Sequence, residues 1–209
     1  MDKPDTDFST YKYRISSIGL LMMSLVSLGI YTGLTWLIVS YFQEASLASV
    51  FTNGLAIPLQ LLIGLLFGLF AAAAISYVMF RTSFSFILRD YALVDMLADM
   101  KFSRFDRLQI SFFAGTGEEL LFRGALQPIL GIGLTSVLFV GIHGYFKFTS
   151  LRHILFGVIM FSLSAGLGLL YHWIGLVSAM VAHAVYDHVM LEVGQRYAFG
   201  QKYGDETGR

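Results

Sequence analysis

Six apolar runs, each of about 16 to 25 residues, constrain this 209-residue chain more than any other feature. At about 1.5 Å rise per residue, the longer runs cross a hydrocarbon layer of about 30 Å as single helices. In lipid every backbone N–H and C=O must be bonded internally, so only helices and closed barrels span a membrane. Barrel strands are about 9–11 residues long, too short for these runs. The expected fold is all-α, a polytopic transmembrane helical bundle of about six spans plus one interfacial helix. Composition agrees, with 13% charged residues where a soluble domain carries about 25%. The formal net charge is zero, so bulk attraction to nucleic acid is not indicated and the lipid bilayer is the expected surrounding. The chain has no cysteine, which removes a thiol nucleophile, a disulfide framework and any thiolate metal site.

The runs follow in order. Ile15 to about Val39 is longer than the roughly 7–15-residue core of a signal peptide, and reads as a retained first span. Ile57 to Phe80 is the second, with Gly64, Gly68 and Ala71 to Ala74 as small packing positions. Leu108 to Leu130 is the third, and Pro128 is expected to end or kink it. Gly131 to Phe146 is the fourth and short, about 24 Å if helical. His153 to Tyr171 and Gly175 to Val193 are the fifth and sixth. Between the second and third lies a basic stretch with Arg81, Arg89, Lys101, Arg104 and Arg107. Its middle, Phe84 to Met100, reads as a helix on the membrane surface. Apart from Arg123, inside the third run, the other basic residues sit in the N-terminus, the Lys147–Arg152 turn and the C-terminus, and the three opposite loops hold none. The positive-inside rule then puts both termini in the cytoplasm. The expected organisation is an N-terminal membrane region (1–103), a core (104–193) and a cytoplasmic tail (194–209), within one structural domain.

The third run carries Glu118, Glu119 and Arg123 where its neighbours are hydrocarbon. A charge at such depth costs at least roughly 2.5–3.5 kcal/mol, so it needs a partner or a wet cavity. Glu119 and Arg123 are i,i+4 and share a helix face. Glu119 then neutralises Arg123, and Glu118 is left to point elsewhere. Depth places His143, His183 and Asp187 in the same inner half of the bilayer. His183 and Asp187 are again i,i+4, and Phe139 lies one turn before His143, able to wall the same pocket. A glutamate can take a proton from a water that attacks a carbonyl. One imidazole can position that water, and another can donate to the developing oxyanion.

The three motifs, Glu118-Glu119-x-x-x-Arg123, Phe139-x-x-x-His143 and His183-x-x-x-Asp187, resemble the pattern of CPBP intramembrane glutamic proteases. That family includes the type II CAAX prenyl endopeptidases and bacteriocin-processing or immunity-related Abi-like bacterial proteins. The similarity runs from about Arg104 to Val193. It implies an intramembrane endopeptidase that acts on a membrane-associated protein or peptide, with no cofactor and no metal, in a bacterial inner membrane. Glu118 and His143 would activate water, and His183 with the residue four on would hold the oxyanion. The family includes members with Asn there, whereas this chain has Asp187. An ionised Asp only accepts hydrogen bonds, so Asp187 either orients His183 or is protonated. Two other readings stand beside this one. Glu118, His143 and His183 also make a His₂Glu set for a metal-dependent hydrolase, and a non-catalytic membrane scaffold or immunity protein would keep the same fold. Neither the substrate nor the oligomeric state is legible in the residues.

Overall fold

Serines start three of the helices by capping their free N–H groups. Ser16 accepts from the Gly19 amide, Ser103 from the Asp106 amide and Ser150 from the His153 amide. Ser103 does so in a capping box, in which the Asp106 carboxylate accepts in return from the Ser103 amide at 2.8 Å. The third helix therefore begins at Arg104, four residues before the apolar run does. The computed structural model describes residues 16–81, 87, 90 and 102–203. The surface helix expected at Phe84 to Met100 lies, apart from Ile87 and Asp90, outside the described residues.

The chain forms α1 (Ser17–Phe42), a 3-10 turn (Leu47–Phe51), α2 (Ile57–Arg81) and α3 (Arg104–Glu119). A π-helical stretch (Leu120–Leu126) then leads into α4 (Gln127–Ile142), followed by α5 (Leu151–Trp173) and α6 (Leu176–Tyr203). The fold is all-α, and this is an integral membrane protein. Among the described residues, five helices are long and apolar enough to cross a membrane, and large apolar side chains such as Met22, Ile30, Phe70 and Val158 lie exposed where lipid would cover them. The expected third and fourth spans form one helical run, Arg104–Ile142.

That run is not straight. A straight helix would hold Glu118 and His143 about 37 Å apart, yet His143 Nε2 lies 3.5 Å from Glu118 Oε2. The Phe122 and Phe139 rings, equally spaced about the same point, are 5.0 Å apart. The reversal sits at Gly131, whose φ of 75° and ψ of 168° are non-helical. A positive φ is open to glycine and strained for other residues, which is why the chain turns there and not at Pro128. Pro128 stands in the first turn of α4, where its missing N–H is tolerated. It has no hydrogen to give the Gly124 carbonyl four residues back. Gln43, at the end of α1, reaches in to donate to the Gly124 and Ala125 carbonyls at 3.4 and 2.8 Å.

α2 packs on α6 backbone to backbone. A Cβ on Gly68 would lie 2.6 Å from the Ala182 carbonyl oxygen, so only glycine permits this approach. α6 runs to Tyr203, about ten residues past the apolar run that marks it in the sequence. The end of that run and the extension are tied to α3 by Arg107, which donates to Glu192 at 2.6 Å and to Gln195 at 3.1 Å.

Candidate active site

Adjacent residues on a helix diverge by about 100°, so Glu118 and Glu119 meet different partners. Glu119 is fully buried. Its Oε2 accepts from Arg123 Nε at 2.9 Å, and its Oε1 lies 2.8 Å from His183 Nδ1. Arg123, also fully buried, donates from Nη2 to Ser164 Oγ at 2.9 Å. Its guanidinium carbon stands 5.6 Å from the centre of the Phe139 ring, within cation–π range.

Glu118 turns the other way. Its Oε2 is 3.5 Å from His143 Nε2 and 3.9 Å from His183 Nε2, and makes no hydrogen bond to protein. Asp187 Oδ2 lies 3.4 Å from the same His183 Nε2. Phe139 walls the group, stacked on His143 at 4.4 Å and edge-on to His183 at 5.7 Å. Tyr145 stacks against His143 at 5.7 Å. Glu118, His143, His183, Asp187 and Phe139 are thus brought together. Glu119 and Arg123 stand behind them, touching the group through His183 and Phe139. Side-chain exposure rises from 0% at Glu119 through 13% at Glu118 to 28% at both His143 and Asp187. The group is open on the side of the last two.

The partners assign the tautomers. His143 Nδ1 lies 2.7 Å from the Phe139 carbonyl oxygen, which only accepts, so Nδ1 carries the hydrogen. His183 Nδ1 faces a carboxylate oxygen and donates likewise. Both imidazoles therefore direct Nε2 toward Glu118. Among the described residues, no group of three or more His, Asp or Glu side chains is arranged to hold a metal ion.

Ser164 and Tyr145 were not legible as site residues in the sequence. Ser164 is one small hydroxyl inside an apolar helix, and Tyr145 lies in a loop with no motif around it. The one available signal was the buried guanidinium, which needs more than a single carboxylate. His153, at the start of the fifth apolar run, is buried, with Nε2 3.0 Å from Asp90 Oδ2.

With this geometry in place, residues 102–189 match the family model of type II CAAX prenyl endopeptidase Rce1-like proteins. This segment, less than half of the chain, is similar to that family. The Rce1-like segment runs from just before the capping box of α3 into α6, and contains all the residues gathered above. The chain is also 40% identical over 73 residues to an uncharacterized protein, YpbD, of Bacillus subtilis (strain 168). That stretch covers 34% of this chain and 36% of the Bacillus protein, about a third of each. No solved structure matches the chain.

Proposed function

We propose that this protein is an intramembrane endopeptidase that hydrolyses a peptide bond in a membrane-associated protein or peptide. The observation that carries the reading is Glu118 Oε2, buried and unbonded, with two imidazole Nε2 atoms directed at it from 3.5 and 3.9 Å. The Rce1-like segment supports the same reaction class. Glu118 is the general base. It takes a proton from a water positioned by His143, and the water oxygen attacks the carbonyl carbon. The carbonyl oxygen becomes an oxyanion near His183, which donates from Nε2 when both ring nitrogens carry hydrogen. Glu118 then returns its proton to the leaving amine as the C–N bond breaks. Burial of Glu118 and His183 beside Phe139 lowers the local dielectric, which strengthens these contacts.

Terminal-peptide mass spectrometry of membranes from cells with the parental protein and with Glu118→Gln tests this reading. New termini are expected with the parental protein alone, and chelator should leave them in place. Identical peptide sets would favour the scaffold reading. Loss of the difference in chelator would favour metal-dependent hydrolysis.

Asp187 stands where the resembling CPBP family includes members with Asn. His183 is already held at Nδ1 by Glu119, so Asp187 is not needed to orient the ring. Asp187→Asn is expected to fold normally and to cleave at the parental rate or faster, because an amide can donate to an oxyanion and a carboxylate cannot. Loss of cleavage in folded D187N protein would mean that the charge itself is required.

The proposed membrane is the bacterial cytoplasmic membrane, with both termini inside, because the basic residues of the loops and termini fall on one side only. Reporter fusions at Gln43 and at Gly204 are expected to report opposite sides. The same side for both would refute this orientation.

A further inference from the structure

An arginine offers a carboxylate two hydrogens side by side, on Nε and Nη2, and the favoured pairing uses both. Glu119 does not take it. It accepts from Nε alone, at 2.9 Å, while Nη2 donates across the bundle to Ser164 on α5, at 2.9 Å. Ser164 is 1% exposed, so no solvent competes for that bond. Nη2 is turned to Ser164, and the second oxygen of Glu119 meets His183 Nδ1 instead, at 2.8 Å. The contact at Nδ1 in turn fixes which ring nitrogen faces Glu118.

We propose that Ser164 is a positioning residue. By holding Arg123 Nη2 it keeps Glu119 divided between Arg123 and His183, and so keeps His183 Nε2 directed at Glu118. Without the hydroxyl, Glu119 rotates to grip Arg123 through both Nε and Nη2. The guanidinium remains paired, and so does the fold, but His183 loses its partner at Nδ1 and its ring is free to turn. The catalytic consequence rests on the peptidase reading above, whereas the hydrogen-bond relay does not.

The test uses the full chain, labelled with ¹⁵N-histidine, in detergent micelles. The His183 Nδ1–H resonance is identified by its disappearance in His183→Gln. In the parental protein it is expected to be present and slow to exchange with solvent. In Ser164→Ala it should vanish or exchange at least about tenfold faster, with folded protein recovered in near-parental amount. Ser164→Thr, which restores the hydroxyl, should retain it. Glu118-dependent release of new termini per folded molecule should fall by about 10–100-fold in S164A, as expected for a misplaced catalytic group, and recover in S164T. If S164A does not fold, Ser164→Cys keeps the volume with a weaker acceptor and is read in the same way. An unchanged resonance in S164A, or its loss in both S164A and S164T, would overturn the relay. A lost resonance with parental cleavage would overturn the positioning role. Glu118-independent cleavage would count against the peptidase reading alone, since the resonance is read without substrate.

Discussion

Glu119→Ala is expected to lose about 3–5 kcal/mol of stability, the cost of leaving one partner of a buried ion pair uncompensated. Arg123 is fully buried. Its Nη1 has no hydrogen-bond partner in protein even with Glu119 present. Removing the carboxylate leaves the guanidinium only the Ser164 hydroxyl and the face of Phe139. His183 loses the acceptor at Nδ1 in the same step. Folded protein recovered in detergent should fall sharply, and the apparent melting temperature by on the order of 10 °C. Cleavage per cell should fall with it. Exchanging the two residues, Glu119→Arg with Arg123→Glu, restores the charges but not the geometry, because His183 and Ser164 then face the wrong groups. It is expected to recover little. Parental stability in E119A would show that Arg123 has another counter-charge.

The helical fold was legible in the sequence because length and apolarity alone decide what crosses a bilayer. The pairing of Glu119 with Arg123 was legible because i,i+4 spacing fixes it within one helix. The reversal between Glu118 and His143 was legible as a boundary between two runs, but its agent was misplaced. Pro128 advertises a break by its missing N–H, and Gln43 makes good the deficit from another helix. Gly131 advertises nothing until its φ is known. The second role of Glu119, as the partner of His183, was out of reach for a different reason. One helix face assigns a carboxylate to one neighbour, whereas a carboxylate has two oxygens and can serve two helices. Ser164 was invisible on the same ground, since its meaning comes from which donor of Arg123 it occupies.

Glu118→Gln is expected to fold as the parent does and to lose turnover. Glu118 Oε2 holds no hydrogen bond in protein, so an amide of the same shape breaks no contact that supports the fold. What it removes is the proposed base. General-base catalysis contributes about 10²–10⁴-fold, and an amide side chain cannot supply it. The effect should therefore fall on rate and spare stability, the reverse of the emphasis for the residue next to it. The contrast between neighbouring glutamates would separate the proposed base from a carboxylate that supports the fold and holds His183.

The most direct measurement is the cleavage rate per folded molecule for E118Q and the parental protein, purified side by side and reconstituted with a membrane-associated peptide that the parent cleaves. A rate at least about 10²-fold lower in E118Q, with equal recovery of folded protein, is the predicted result. Cleavage by E118Q at the parental rate would contradict the assignment of Glu118 as the base, and with it the account of this site.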